Sequence, residues 1–305
     1  MVFKIRFFMT LVLTTILVAL CACTNTHMLY QTTDWIGDSQ FTDGIEGPAV
    51  DRNGNLYAVN YQTQGTIGIV KDKGDAEVFV ELPKGSIGNG IRFDLTDTDQ
   101  AGTMYIADYT GHNILRVDMA TKRISVHAHS AEMNQPNDIA ITSVGVIYAS
   151  DPNWQSLTGK LWRIDTSGAV VLVEDNMGTT NGVEVSPDDR HLYVNESVQK
   201  KVYVYDIQED GSVANKRLLI EFEEHGLDGM RCDIQGNLYI ARYGAGSVAV
   251  VSPQGDLLRE IPLTGKHPTN VAFGGEDGRQ VFVTMQKRGA IETFWVEHPG
   301  REFSQ

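Results

Sequence analysis

Polar and apolar positions alternate along the chain in short runs, and six of these runs begin with a small polar or acidic residue. Each run leads through a turn into a strand-like segment that carries an aromatic residue, and these aromatics recur every 43 to 48 residues. Period-two alternation is typical of β-strands, and a repeat of this length indicates stacked or radial structural units. The runs begin at Glu46, Asn89, Asn137, Asn181, Asp228 and Asn270, and the aromatics are Tyr57, Tyr105, Tyr148, Tyr193, Tyr239 and Phe282.

The repeat at residues 137–174 shows the predicted unit most clearly. Two strands joined by a turn at SVG are followed by a loop, a third strand at KLWRID, a turn at TSG and a fourth strand at AVVLVED. Four antiparallel strands per repeat and six repeats predict an all-β, six-bladed β-propeller. The last repeat has little left for a fourth strand after Trp295, so we expect the segment from Trp35 to Phe41 to complete that blade and close the ring.

The N-terminus differs in kind from the repeats. Lys4 and Arg6 precede an apolar stretch too short to span a bilayer comfortably, and the residues Leu-Cys-Ala-Cys follow it. This pattern resembles a bacterial lipoprotein signal in which Cys23 is lipidated; an ordinary signal peptide or an uncleaved anchor is the alternative. The resemblance implies a lipid-anchored protein of the bacterial cell envelope, in the outer membrane and facing the periplasm. The predicted regions are a signal peptide at 1–22, a tether at 23–34 and one propeller domain at 35–305.

The charge of the chain restricts its partners. It carries 25 Lys and Arg against 39 Asp and Glu, a net charge of −14 at pH 7. An acidic surface repels phosphate backbones, which argues against nucleic acid as a partner, and the predicted membrane contact is the lipid anchor alone. After removal of the signal peptide, Cys232 is the one thiol besides the acylated Cys23, so no intrachain disulfide is expected. The sequence does not indicate an oligomeric state.

The strand order of a closed propeller assigns the loops to its two ends. If each inner strand begins at the upper face, the loop between the second and third strands of every blade returns to that face and forms its rim. We expect the loop at 151–159 to be the longest of these and a candidate lid. Tyr109, Trp154 and Tyr243 form a candidate aromatic wall at this rim, where Arg242 also lies.

Equivalent positions of a closed radial repeat converge on its axis, which brings acidic and amide side chains together. Glu46 and Asp228 contribute two carboxylates, and Asn137 and Asn181 contribute two carboxamide oxygens. Two neighbouring carboxylates repel each other unless one is protonated or a cation joins them. Oxygen ligands without His or Cys favour a hard cation, and their flexible spacing favours Ca²⁺ over Mg²⁺, with other divalent cations possible. The register of the repeats therefore predicts a calcium site.

Several motifs resemble those of one known family across essentially the whole mature chain: EGP, PND, NGVEVSPDDRHLYV, DGMRCDIQGNLYIA and TNVAFGGEDGRQVFVT. They resemble the gluconolactonase, regucalcin (senescence marker protein) and drug-responsive lactonase family. The resemblance implies a metal-dependent lactonase or esterase with Glu46, Asn181 and Asp228 as direct metal ligands. It also implies that Asn137 lies beside the metal and touches substrate, and that Asp228 is the general base. Asp138, in the same motif, is a rival base or a residue that supports the site from outside.

The predicted reaction is the opening of a small-molecule lactone or related ester by metal-activated water, with a carboxylate as general base. At Gln135 the animal sugar-lactone enzymes carry a basic residue, and this departure weakens the indication of sugar recognition but not that of lactone opening. Two alternatives stay open: a non-catalytic envelope propeller that binds a partner and holds a structural calcium, and a phosphotriesterase resembling diisopropyl fluorophosphatase. The candidate substrate contacts are Asn89, Asn137, Tyr109, Trp154 and Arg242.

Overall fold

The computed structural model describes residues 27–96 and 102–303 of the chain. These residues form 24 β-strands in six four-stranded antiparallel sheets, one sheet per repeat. The inner strand of each sheet contacts the inner strand of the next, and the last contacts the first. The predicted six-bladed β-propeller is therefore confirmed.

The described chain begins with β1 (Thr33–Ile36), which joins the last blade. Blade one comprises β2 (Phe41–Val50), β3 (Leu56–Tyr61), β4 (Thr66–Asp72) and β5 (Asp75–Glu81). Blade two comprises β6 (Gly88–Phe93), β7 (Thr103–Asp108), β8 (Asn113–Asp118) and β9 (Arg123–His129). Blade three comprises β10 (Ile139–Ile141), β11 (Ile147–Asn153), β12 (Thr158–Ile164) and β13 (Val170–Met177).

The second half of the ring repeats the same strand order. Blade four comprises β14 (Thr180–Val185), β15 (His191–Glu196), β16 (Lys201–Ile207) and β17 (Val213–Glu221). Blade five comprises β18 (Met230–Cys232), β19 (Leu238–Arg242), β20 (Ser247–Val251) and β21 (Leu257–Pro262). Blade six comprises β22 (Pro268–Gly274), β23 (Gln280–Met285) and β24 (Ala290–Trp295), followed outward by β1.

Both ends of the chain contribute to blade six. Strand β1 pairs with β24 in antiparallel register, with Thr33 opposite Thr293. The N–H of Phe41 then donates to the carbonyl of Gly289 at 2.9 Å as the chain enters blade one. The closing strand overlaps the predicted segment from Trp35 to Phe41 but begins earlier, at Thr33, and ends at Ile36. The residues from there to Phe41 tie the last blade to the first.

The aromatic residues that mark the repeats are buried, and the tyrosine of blade one packs at the junction with the next blade. The ring of Tyr57 lies edge-on to Phe79 and Phe93, with ring centroids 5.1 and 5.5 Å away. Its hydroxyl donates to Asp51 Oδ2 at 3.0 Å, and Asp51 also accepts the backbone N–H of Asn55 at 2.9 Å. The same Asp-x-x-Gly-Asn turn recurs in blade five. This five-residue turn therefore closes the first hairpin of the blade and holds the aromatic residue in the core.

The loops between the second and third strands are equal in length, four residues in every blade. In blade three the loop covers 154–157, because β11 extends to Asn153 and β12 begins at Thr158. Asp151 accepts the indole N–H of Trp162 at 2.8 Å, which keeps this segment in the sheet. The expectation of a longer lid at 151–159 is wrong.

Two short 3₁₀ helices complete the described structure, Gln286–Arg288 in the rim loop of blade six and Arg301–Phe303 near the C-terminus. Arg301 donates to Glu184 Oε1 at 3.0 Å at the lower end of the ring. In residues 27–96 and 102–303, no helix is long and apolar enough to cross a membrane. The predicted signal peptide at 1–22 and the lipidation site Cys23 lie outside the described residues.

Candidate functional site

A cavity of about 440 Å³ opens at the end of the propeller where the inner strands begin. The acidic and amide residues at which the runs of five repeats begin, here called the heads of the blades, line this cavity. The structure therefore brings together the residues that were predicted to converge on the axis. All but Asn89 are less than 10% exposed. The five heads are Glu46, Asn89, Asn137, Asn181 and Asp228.

Glycines that directly follow the heads allow this convergence. A Cβ atom on Gly47 would lie 2.0 Å from the carbonyl oxygen of Asn89, and one on Gly229 would lie 1.9 Å from Cγ of Asn270. At Gly182 a Cβ would lie 2.5 Å from the next blade. Real Cβ atoms do not approach other atoms this closely, so only glycine lets the head of one blade pack over the preceding inner strand.

We expect Gly47→Ala to destabilise the fold by about 3 kcal/mol or more, because it combines a backbone clash with a positive φ of 55°. Gly54→Ala is the matched control, since Gly54 also has a positive φ, of 83°, but no atom lies within 4 Å of the position that a Cβ would take there. The control should cost about 1 kcal/mol. Urea unfolding of both variants measures the difference, and equal losses would show that close approach at Gly47 is not required.

The two carboxyl groups of the cavity, Glu46 and Asp228, are both buried and influence each other's ionisation. Burial raises the pKa of Glu46 to about 7, and burial together with the neighbouring Glu46 charge raises the pKa of Asp228 well above its usual range. The N–H of Gly47 donates to Glu46 Oε2 at 2.7 Å. Two neighbouring buried carboxyl groups favour either a proton on one of them or a cation bound between them.

Three carboxamide oxygens complete the group, and none has a hydrogen-bond partner within the described chain: Oδ1 of Asn89, of Asn137 and of Asn181. A buried acceptor without a partner costs free energy. Carboxyl and carboxamide oxygens are the donors that Ca²⁺ prefers, so the residues present fit such an ion. No cluster of three or more His, Cys, Asp or Glu suited to a metal occurs in the described ranges, so the amides must supply part of any donor set.

Aromatic and amide side chains surround the mouth of the cavity. Tyr109, Trp154 and Tyr243 all line it, and Trp154 is 38% exposed. The hydroxyl of Tyr243 donates to Gln286 Oε1 at 2.6 Å. Burial raises the pKa of Tyr109. The structure therefore brings the three predicted aromatics together at the mouth of the cavity.

Asp138 does not line the cavity, although it follows Asn137 directly. Its carboxylate accepts Arg92 Nη1 at 3.1 Å and the N–H of Ile139 at 2.9 Å, and Arg231 Nη1 lies 3.7 Å away. Strand alternation directs it away from Asn137. This geometry favours the alternative of a residue that supports the site from outside, and the role of Asp138 as a rival base stays a prediction.

Arg242 does not line the cavity either. Its guanidinium donates to Glu260 Oε1 at 2.6 Å and to the carbonyl of Glu224 at 2.6 Å, and it stacks on Phe222 at 3.8 Å. These contacts occupy the side chain and turn it away from the axis. The structure therefore does not bring Arg242 together with the other predicted substrate contacts, and its contact with substrate stays a prediction.

Two residues that support the site from outside the cavity lining were not assigned from sequence. Asn270 Oδ1 accepts Arg231 Nη1 at 3.3 Å. Arg231 is 2% exposed, and its Nη2 donates to the carbonyls of Pro48 and Ile91, both at 3.2 Å. The sequence could have indicated both residues, because Asn270 begins the run of blade six and Arg231 lies three residues after Asp228.

A second cavity, of about 310 Å³, opens at the opposite end of the axis. Its apolar walls include Phe93, Phe273 and Phe303, and Glu184 and Arg231 lie at its base. None of the residues predicted to bind metal or substrate lines it. The candidate site is therefore the upper cavity.

Comparisons with known proteins agree with the fold. A family model described as SMP-30/Gluconolactonase/LRE-like region matches residues 26–287. Gluconolactonase of Zymomonas mobilis is 26% identical over 278 residues, 78% of this chain and 75% of that protein. Diisopropyl-fluorophosphatase of Loligo vulgaris is 25% identical over 286 residues, 85% of this chain and 91% of that protein. The crystal structure of a calcium-binding regucalcin from Agrobacterium tumefaciens has a TM-score of 0.75 at 20% identity, covering 88% of this chain and 95% of that chain, a likeness of fold.

Proposed function

The chain belongs to the SMP-30/gluconolactonase/LRE-like family, and we propose that it is a hydrolase that opens lactones or related esters in the upper cavity. The observation that carries the proposal is the group of two buried carboxyls and three unpartnered carboxamide oxygens that line the cavity at the axis. The activities in the names of the gluconolactonase and the fluorophosphatase relatives, both hydrolytic, support it.

Calcium is the proposed cofactor. Glu46, Asn181 and Asp228 would hold the ion, with Asn137 beside it, because these side chains supply buried oxygen donors and a double negative charge when ionised. When bound, the ion would supply positive charge that polarises the substrate carbonyl and stabilises the developing oxyanion.

The chain's own residues have separate proposed roles. Asp228 accepts the proton of the attacking water, since its carboxyl reaches the cavity and Asp138 does not. Asn89 and Asn137 hydrogen-bond the substrate from neighbouring blades, and Tyr109 and Trp154 pack against its ring. Contact with these aromatics would limit the number of orientations that a bound lactone can adopt.

A phosphotriesterase is the second candidate, favoured by the similarity to diisopropyl-fluorophosphatase along 91% of that protein. The test is a panel of lactones, aryl esters and a fluorophosphate, each rate divided by its uncatalysed rate. We expect the largest acceleration for lactones. A larger acceleration for the fluorophosphate would reassign the activity, and no acceleration of any substrate would favour a non-catalytic binding propeller.

We also propose that the protein is anchored in the cell envelope through a lipidated Cys23, facing the periplasm. Mass spectrometry of the native protein should find an acylated N-terminal Cys23, and Cys23→Ser should yield an unlipidated form. The folded domain should be unaffected, because the described propeller begins beyond this residue. A free, unacylated Cys23 in the native protein would contradict the anchor.

A further inference from the structure

The charge of the upper cavity limits what it can bind. Glu46 and Asp228 are its two acidic residues, and no Lys, Arg or His occurs among the described residues that line it. Arg242, the arginine expected at the rim, is engaged by Glu260. A divalent cation would bring the two ionised carboxylates to zero net charge, which leaves no excess positive charge for an anionic substituent.

The rest of the lining can bind neutral groups. Amide side chains at the mouth, including Gln64 and Gln286, offer both hydrogen-bond donors and acceptors, and Tyr109 and Trp154 offer apolar faces. The protein as a whole carries a net charge of −14, so its long-range field also repels anions.

We infer that the site selects electrically neutral lactones and discriminates against the same ring carrying a carboxylate, phosphate or sulfonate group. The inference rests on the proposed function, since it names the substrate class of that activity. Gln64 is the position at which this selectivity can be changed, because it lines the cavity from the exposed rim loop of blade one.

A matched pair of substrates tests the inference. Butyrolactone with a carboxamide substituent and the same ring with a carboxylate differ mainly in charge, and each kcat/KM is divided by the rate of uncatalysed hydrolysis. We expect a preference for the carboxamide of about tenfold at low ionic strength, which decreases as salt screens the repulsion. Gln64→Lys should reduce the preference at least about threefold.

Gln62→Lys is the matched control, because Gln62 is exposed on the same loop but does not line the cavity. It adds the same charge to the protein and should leave the preference unchanged. Equal rates for the two lactones in the wild type would overturn the inference while lactone hydrolysis itself stands. If both lysine variants reduce the preference equally, or if neither variant changes it, the role of cavity charge would be overturned. If neither lactone is opened, the proposed function fails together with this inference.

Discussion

Asp228→Asn is expected to lower kcat for lactone hydrolysis by about 100-fold or more, even at calcium concentrations that saturate the variant. The carboxamide cannot accept the proton of the attacking water. Asp228 lines the cavity, and the substitution conserves the size of its side chain while removing its charge. Steady-state kinetics on folded, calcium-loaded protein measure the effect.

Asp138→Asn is the comparison that assigns the base. Asp138 contacts Arg92 and lies outside the cavity, so its replacement should lower the free energy of unfolding and leave kcat within about tenfold of the wild type. A larger loss of kcat for Asp138→Asn than for Asp228→Asn, at equal folded fractions, would make Asp138 the base and leave Asp228 as a ligand.

Glu46→Gln is expected to abolish the stabilisation of the protein by added calcium. An ion present at 100 times its Kd stabilises the native state by about 2.7 kcal/mol, a Tm increase of roughly 5 to 10 °C for a domain of this size. Without calcium the variant should be at least as stable as the wild type, because it removes a carboxyl whose burial next to Asp228 raises the pKa of both groups. Thermal unfolding with and without calcium measures both effects.

Glu292→Gln is the matched control for this experiment. Glu292 is fully buried and accepts the N–H groups of Thr264 and Gly265 at 2.8 and 2.9 Å, but it does not line the upper cavity. Its replacement should lower Tm with and without calcium and preserve the increase in Tm that calcium causes. If calcium raises the Tm of Glu46→Gln as much as that of the wild type, Glu46 is not a ligand of the ion.

Much of the fold could be predicted because each repeat contains local sequence features that determine its turns and strands. The turn around Asp51 and the buried Tyr57 are local features, and the recurrence of such an aromatic in every repeat predicted the number of blades. Closure by β1 followed from counting strands in the last repeat. Loop lengths were less predictable, since β11 continues through Asp151 to Asn153 where the sequence suggested a loop.

The site was predictable as far as register alone determines it. Glu46 and Asp228 meet because they occupy equivalent positions of the repeat at the upper end of their blades, and the glycine after each permits neighbouring blades to approach. Register does not determine which way a long side chain turns, so the direction of Arg242 toward Glu260 could not be read from the sequence. Nor could the pairing of Asp138 with Arg92, which joins residues 46 positions apart.

The most direct test of a calcium-dependent lactonase is hydrolysis of a neutral lactone by the purified protein, followed by proton release in a pH-stat. The rate is measured with calcium, after addition of a chelator, and after calcium is restored in excess. We predict hydrolysis well above the uncatalysed rate, its loss with the chelator and its recovery with calcium. Full activity in the presence of the chelator, or no hydrolysis while calcium still raises Tm, would contradict that function.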